Sequence, residues 1–380
     1  MALPLSLYIH FPWCIRKCPY CDFNSYPVRH SIPQTEYLTT LLIDLEQDLS
    51  KVAGRELISI FIGGGTPSLF SPEIVEQLLS QISKQIPIQT GAEITLEANP
   101  GTVDRHHFKA FHTAGINRLS LGIQSFNEIQ LQHIGRIHGR QEAITAIHAV
   151  REAGFENFNL DLMFGLPKQT VTMALDDLET AISFQPPHLS WYQLTVEPDT
   201  LFYQQPPTLP EEESLWDIYT HGKAYLITQG YHPYEISAYT HSEQYCYHNL
   251  NYWTFGDYLG IGAGAHGKIT DSTTGMITRT TKPVDPDQYL RSAQTQSKIA
   301  ETAILTKADI RLEFMMNALR LCDGFTISQF IARTGLNFND IAQAIQQAKN
   351  QGWLTEENQH IRPTTVGMQF LNNLLELFVA

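Results

Sequence analysis

Three cysteines close to the start of the chain are the residues with the clearest chemical potential. Cys14, Cys18 and Cys21 are spaced as C-x-x-x-C-x-x-C, and no fourth cysteine lies nearby in the sequence. A cubic 4Fe-4S cluster has four irons, so three thiolates would leave one iron free to bind a small molecule. The spacing alone leaves two other roles open: a zinc site completed by His10 or His30, or cysteines that only pack in the core.

The composition indicates a folded protein that is large for one domain. The chain has 380 residues, of which 43% are hydrophobic and 17% are charged, so we expect a large domain with a smaller one attached. The formal net charge is -14, from 39 acidic and 25 basic residues. Such a surface repels phosphate backbones and anionic lipid, and we therefore predict no nucleic-acid partner.

Cysteine usage indicates a reducing compartment. Of five cysteines, three lie within eight residues, which is unlike the disulfide framework of a secreted protein. The start of the chain lacks a basic segment with a cleavage site, and no apolar run reaches about 18 residues. We predict a cytoplasmic protein, and peripheral association with a membrane partner stays open.

Short β-rich runs alternate with amphipathic helical runs over the first 230 residues. The predicted strands span 5–9, 57–62, 93–97, 118–124, 159–164 and 189–196. The predicted helices span 37–52, 72–85, 104–114, 127–153 in two pieces, and 170–184. Six such alternations predict a parallel sheet with right-handed crossovers.

Polar residues recur where the predicted strands end. The cysteine loop follows the first strand, Gly63 to Pro67 follow the second, and Glu97, Gln124 and Asp161 lie in or at the ends of the next three. In β/α barrels the active site forms at the carboxyl ends of the strands. We therefore predict an α/β fold, an incomplete (β/α)6 barrel with its site at that end.

The pattern changes beyond residue 230. Residues 231–300 are predicted to form a connecting region that is rich in aromatic residues and histidine, with a glycine-rich run at 260–267. Helices are predicted at 308–321, 327–334 and 339–351, followed by a short β wing. The prediction is thus a barrel at 1–230 and a small, mainly helical, winged-helix-like domain at 301–380, used for packing or protein contact rather than for DNA.

Six segments resemble, in order, the coproporphyrinogen dehydrogenase-like branch of the radical S-adenosylmethionine (SAM) superfamily. They begin at Tyr8, Gly63, Glu97, Gly122, Gly135 and Asp161. The resemblance implies a 4Fe-4S cluster on the three cysteines, with SAM chelating the open iron and yielding a radical after reduction. It also implies the SAM contacts, which are Tyr8, Tyr20, Gly64, Gly65, Thr66, Glu97, Gln124, Arg136 and Asp161.

Two features within that branch favour the HemW family of haem chaperones over the oxygen-independent coproporphyrinogen III dehydrogenases. The dehydrogenases carry a further cysteine two residues after the third, where this chain has Phe23, and they have a longer N-terminal arm. Residues 248–253 resemble the HNxxYW motif of the chaperones, which implies haem binding by His248, Asn249, Tyr252 and Trp253.

The resemblance therefore implies a chaperone that binds haem as cargo and transfers it to apo-haemoproteins. It further implies an electron donor such as a flavodoxin or ferredoxin, and it leaves a homodimer possible in principle. Imidazole is the commonest haem ligand, but Cys246 is a second candidate and the ligating residue stays open. The alternative is a radical SAM enzyme that acts on a tetrapyrrole, such as the dehydrogenase, and enzyme activity also stays open.

Overall fold

The computed structural model describes residues 3–102, 104–241, 243–292 and 298–379. The strands are β1 (Leu5–Phe11), β2 (Trp13–Cys14), β3 (Tyr26–Pro27), β4 (Leu57–Gly64), β5 (Ile88–Ala98), β6 (Arg118–Gln124), β7 (Phe158–Phe164), β8 (His188–Gln193), β9 (His232–Pro233), β10 (Ala238–Thr240), β11 (Asp257–Ile261), β12 (His266–Thr270), β13 (Ile277–Thr281), β14 (Glu301–Ile304), β15 (Phe325–Thr326), β16 (Leu354–Glu357) and β17 (His360–Pro363). The helices are α1 (Gln34–Asp48), α2 (Pro72–Gln85), α3 (Arg105–Thr113), α4 (Glu128–His133), α5 (Arg140–Glu152), α6 (Val171–Ser183), α7 (Leu201–Gln204), α8 (Glu212–Thr228), α9 (Tyr247–Trp253), α10 (Pro286–Arg291), α11 (Lys307–Ala318), α12 (Ile327–Thr334), α13 (Asn339–Asn350), α14 (Thr365–Gln369) and α15 (Leu371–Glu376). Short 3-10 helices lie at Leu49–Val52, Pro67–Leu69 and Pro100–Thr102.

Twelve of the described strands form one sheet, in the order β14-β13-β12-β11-β1-β4-β5-β6-β7-β8-β10-β9. The seven strands from β11 to β8 pair in parallel. The six predicted strands are among them, so the predicted α/β alternation is confirmed. Their carboxyl ends share one edge of the sheet, where the polar residues of the sequence motifs lie.

The sheet also contains strands that the sequence did not predict. β11 pairs in parallel with β1 although more than two hundred residues separate them in the chain. β12, β13 and β14 then add antiparallel strands on that side, while β10 and β9 do so beside β8. Periodicity reports local structure and carries no signal for such distant pairing, which is why the sequence predicts only a connecting region at 231–300. The predicted boundaries at 230 and 300 remain predictions.

Helices cover the sheet through apolar faces that the sequence spacing predicts. In α2 the Ser71 hydroxyl accepts a hydrogen bond from the Ile74 N–H and Pro72 occupies the first turn. The helix then buries Val75, Leu78 and Ile82 against the core. Each such side chain stabilises the fold by roughly 1.5–3 kcal/mol relative to an exposed one.

The C-terminal part forms a second hydrophobic cluster around α11, α12 and α13. The rings of Phe314 and Phe330 meet edge to face at 5.1 Å within it. β15, β17 and β16 form a small antiparallel sheet beside these helices, which is the predicted winged-helix-like arrangement. In the part of the chain that the structure describes, no helix is long and apolar enough to cross a bilayer.

Candidate functional site

The loop after β1 carries the three cysteines to the edge where the parallel strands end. Cys14 is buried, Cys18 and Cys21 are half-buried, and all three line a cavity of about 440 Å³, here called the cysteine cavity. The loop is closed by the short pairing of Trp13 with Tyr26. Within the described ranges, no three Cys, His, Asp or Glu side chains converge tightly enough to hold a single metal ion.

The surroundings of Cys14 and Cys21 favour the neutral form of these two thiols. Burial and then the neighbouring thiols raise the pKa of Cys14 to about 11, and burial raises the pKa of Cys21. Binding to iron would be needed to ionise them near neutral pH, as metal binding releases thiol protons. Three thiols around one cavity fit the predicted 4Fe-4S cluster.

His10 is poorly suited to complete a zinc site with these cysteines. Its Nε2 lies 2.7 Å from the Asn24 carbonyl and its Nδ1 lies 3.0 Å from the Tyr8 hydroxyl, so both ring nitrogens are engaged. Burial lowers the pKa of His10 to about 4, and the ring is therefore neutral. The other zinc candidate, His30, is exposed.

The backbone of the glycine run after β4 is hydrogen-bonded to the segment that leads into the cysteine loop. The N–H of Gly65 donates to the Phe11 carbonyl and that of Thr66 donates to the Trp13 carbonyl, both at 2.7 Å. A Cβ on Gly65 would lie 2.5 Å from the Trp13 carbonyl oxygen, a distance that no side chain tolerates. Gly64 has φ +115°, a conformation that favours glycine, and its N–H donates to Glu97 at 3.0 Å.

Four further polar side chains reach the cysteine cavity, from β6, β7, the loop after α4 and the cysteine loop itself. Gln124, Arg136, Asp161 and Tyr20 line it together with Glu97 and the glycines. The Arg136 guanidinium donates to the Gly122 carbonyl at 2.6 Å and lies 3.7 Å from the Cys18 sulfur. The structure thus gathers eight of the nine predicted SAM residues around one cavity, and their contacts with SAM remain predictions.

Two half-buried carboxyl groups line this cavity, and within the described residues neither forms an ion pair. Burial and then the charge of Asp161 raise the pKa of Glu97 to about 8. Burial also raises the pKa of Asp161, although Ser120 and Asn159 donate hydrogen bonds to it. Hydroxyl groups or a cationic ligand would add hydrogen-bond or charge partners to those that the protein already gives these carboxyl groups.

The ninth residue, Tyr8, lines a second cavity. This cavity has a volume of about 870 Å³ and four histidines in its lining, and it is here called the histidine cavity. It shares Gly64, Glu97 and Asp161 with the cysteine cavity. The two cavities therefore adjoin across the ends of the central strands.

All four predicted haem residues line the histidine cavity. They are His248, Asn249, Tyr252 and Trp253, on helix α9. The Arg320 guanidinium lies 4.3 Å from the centre of the Trp253 ring and covers it from the C-terminal part of the chain. The motif thus forms one wall of the histidine cavity.

The ring of His248 is engaged on both sides. Its Nδ1 lies 3.0 Å from the Ser59 hydroxyl and its Nε2 lies 3.0 Å from the Tyr252 hydroxyl, and Phe61 stacks on it at 5.0 Å. Burial and then the charge of Arg118 lower the pKa of His248 to about 3. Ligation of iron by His248 would therefore require Nε2 to leave Tyr252. Cys246, the other candidate ligand, is buried, and burial raises its pKa to about 12.

The comparisons with known proteins agree with this arrangement. Residues 8–181 match the radical SAM superfamily model, and residues 305–370 match the HemN C-terminal domain. The chain is 50% identical to the heme chaperone HemW of Haemophilus influenzae and 49% identical to that of Escherichia coli, in each case over 99% of this chain and 98% of the relative. The chain belongs to the HemW family.

The solved structure of the coproporphyrinogen III oxidase HemN from Escherichia coli has the same fold. It superposes with a TM-score of 0.84 and 22% identity, covering 100% of this chain and 91% of HemN. This likeness confirms the predicted radical SAM fold with a C-terminal helical domain.

Sequence reasoning missed several residues that build the two cavities of this HemW family member. Phe61, Arg118 and Tyr192 project from strands, and Tyr192 donates a 2.7 Å hydrogen bond to Gln124. They lie outside the six motif segments. The sequence does give a signal for one of them, Arg118, because a charged residue is unusual in a strand that is predicted to lie inside the sheet.

Proposed function

We propose that the chain binds haem in the histidine cavity and transfers it to apo-haemoproteins, and that it carries a 4Fe-4S cluster with SAM in the adjoining cysteine cavity. The observation that carries the proposal is the common wall of the two cavities, one lined by the three cysteines and the other by the 248–253 motif. The names of the HemW relatives support haem as cargo.

In this proposal Cys14, Cys18 and Cys21 hold the cluster, and the eight residues around the same cavity orient SAM together with Tyr8, which lines the adjoining cavity. A reduced cluster with SAM supplies one-electron chemistry when bound. Arg136 is placed to bind a carboxylate, since a guanidinium pairs well with planar anions. Glu97 and Asp161 are placed to accept hydrogen bonds from hydroxyl groups, which would offset part of the cost of removing their charges from water.

The histidine cavity suits a planar and largely apolar cargo. Tyr8 and Phe61 stack at 6.3 Å, and Phe61 in turn stacks on His248. Transfer requires that haem be bound firmly and then released. A nitrogen that ligates iron but can return to a hydrogen-bond partner in the protein would allow both. His248 has that partner in Tyr252.

Transfer can be tested directly with reconstituted protein. Haem-loaded protein is mixed anaerobically with an apo-haemoprotein, with and without SAM, and the absorbance of the recipient is followed. We expect transfer faster than from haem-loaded albumin at equal haem concentration. Haem that stays on the chain contradicts the proposal, and so does formation of protoporphyrinogen when the reduced protein receives coproporphyrinogen and SAM, because that outcome identifies the dehydrogenase instead.

The remaining partners follow from the same proposal. An electron donor such as a flavodoxin or ferredoxin would reduce the cluster, and the proposal is compatible with either a monomer or a homodimer. We place the activity in the cytoplasm, because the cysteine usage is typical of a reducing compartment.

A further inference from the structure

One charged side chain of the histidine cavity has no hydrogen-bond partner. Arg118, the first residue of β6, is 2% exposed and lines the cavity. Its Nε is buried without a partner, and within the described part of the chain its guanidinium makes no hydrogen bond. Leaving such a donor group buried and unpaired costs free energy. A hydrogen-bond acceptor on a bound ligand would offset that cost.

The other cations in the described lining of this cavity are already paired. Lys268 contacts Asp257 at 3.1 Å, and Arg279 forms a close ion pair with Glu313. These two groups stabilise the protein's own structure. Arg118 differs from them because, among the described residues, no carboxylate lies at hydrogen-bond distance from its guanidinium.

The nearest carboxylate, Glu93, is occupied elsewhere. Its Oε2 lies 3.8 Å from the Arg118 Nε, which is beyond hydrogen-bond distance. The same carboxylate accepts hydrogen bonds from the N–H groups of Tyr247 at 3.1 Å and His248 at 3.0 Å. Glu93 therefore offsets the charge of Arg118 in part but leaves its donors available.

We propose that Arg118 binds a carboxylate of the cargo in the histidine cavity, which for haem is one of its two propionates. This inference rests on the proposed function. A guanidinium binds a carboxylate through two parallel hydrogen bonds, and the aromatic groups Tyr8, Phe61 and His248 lie in the same lining. The cavity thus combines an apolar wall for a planar ring with one anion-binding group.

A comparison of haem with its dimethyl ester distinguishes carboxylate binding by Arg118 from a purely structural role of this residue. Haem and haem dimethyl ester are titrated against the wild-type chain in the same detergent-containing buffer, with binding followed by the Soret band. We expect the wild type to bind haem about tenfold more tightly than the ester, since Arg118 bonds more strongly to a charged carboxylate than to a neutral ester. In Arg118→Gln that preference should fall to about one, because affinity for haem drops while affinity for the ester does not.

A matched variant is provided by Arg279→Gln, which removes a paired arginine from the same cavity. It should keep the preference for haem over the ester. Arg118→Lys should show an intermediate preference, because one ammonium cannot make the paired contact, and it preserves the buried charge if Arg118→Gln fails to fold.

The outcomes distinguish the two proposals. A wild type that binds haem and its ester equally well overturns the role of Arg118 without any variant. Equal weakening of both ligands in Arg118→Gln also overturns it, because that pattern indicates a structural residue. A wild type that binds neither ligand overturns the proposed haem function and this inference with it.

Discussion

The carboxylate of Glu93 accepts a hydrogen bond from the backbone N–H of His248 at 3.0 Å, although 155 residues separate them in the chain. Glu93 lies on β5, four residues before Glu97, so both side chains point to the same side of the strand. Glu97 in turn accepts a hydrogen bond from the N–H of Gly64, in the glycine run after β4. A single strand therefore holds helix α9 beside one cavity and the glycine run beside the other.

Removing the Glu93 carboxylate should loosen this arrangement. We expect Glu93→Ala to lower the free energy of unfolding by about 3 kcal/mol, because it removes the carboxylate that pairs with the buried Arg118 and leaves two N–H groups of α9 without their acceptor. Haem affinity should fall at the same time, since α9 forms one wall of the histidine cavity. Urea denaturation and a haem titration measure the two effects.

The exposed residue Glu76 on α2 provides the control for that variant. Glu76→Ala should change the free energy of unfolding by no more than about 0.5 kcal/mol. Equal effects of the two substitutions would show that the contacts of Glu93 do not stabilise the fold.

Removing one of the three thiols should abolish cluster binding without unfolding the protein. Cys18 is half-buried, so Cys18→Ser should leave thermal unfolding of the iron-free protein nearly unchanged. After anaerobic reconstitution, this variant should lose most of its iron and its affinity for SAM. Iron analysis and equilibrium dialysis with SAM provide the measurements.

Cys322→Ser is the matched cysteine variant, because Cys322 is also half-buried but follows α11 in the C-terminal part of the chain. It should retain the iron content of the wild type. Loss of iron from both variants, or from neither, would contradict the assignment of the cluster to the first three cysteines.

The contrast between Gly64 and Arg118 shows what the sequence could predict. Gly64 lies in a contiguous motif whose role follows from local geometry, and the structure places it against Glu97 as the strand-end pattern suggested. Arg118 acquires its surroundings from Glu93 and from α9, which are distant in sequence and meet only in the folded sheet. Strand β11 was missed for the same reason, since its pairing with β1 depends on tertiary contact.

The hydrogen bond between Tyr252 and His248 should oppose iron ligation. Tyr252→Phe leaves Nε2 of His248 without its partner, so affinity for ferric haem should rise about fivefold, the equivalent of about 1 kcal/mol for one hydrogen bond. His248→Ala should instead weaken haem binding and abolish the spectrum of a histidine ligand. Soret titrations and the visible bands of the complexes report both changes.

Tyr258 allows a check on that interpretation. Its ring meets the Tyr252 ring edge to face at 4.5 Å, while its hydroxyl contacts Arg279 and not His248. Tyr258→Phe should therefore leave haem affinity unchanged. A fall in haem affinity in Tyr252→Phe would mean that its hydroxyl contacts the cargo and does not restrain His248.

Glu97 should make the stability of the cofactor-free protein depend on pH. Its pKa is about 8 in the folded chain, against an ordinary value of 4.5, mainly because of burial. Between these values the folded state binds more protons than the unfolded state, so the contribution of Glu97 to stability is present below about pH 4.5 and is lost as the pH rises to 8.

An amide at this position would not titrate. Glu97→Gln should therefore stabilise the cofactor-free protein by an amount that grows from pH 5 to pH 8 and then levels off, as measured by urea denaturation across that range. Because the same carboxyl is proposed to orient SAM, this more stable variant should bind SAM more weakly, and a stability difference that does not change with pH would show that Glu97 ionises normally in the folded protein.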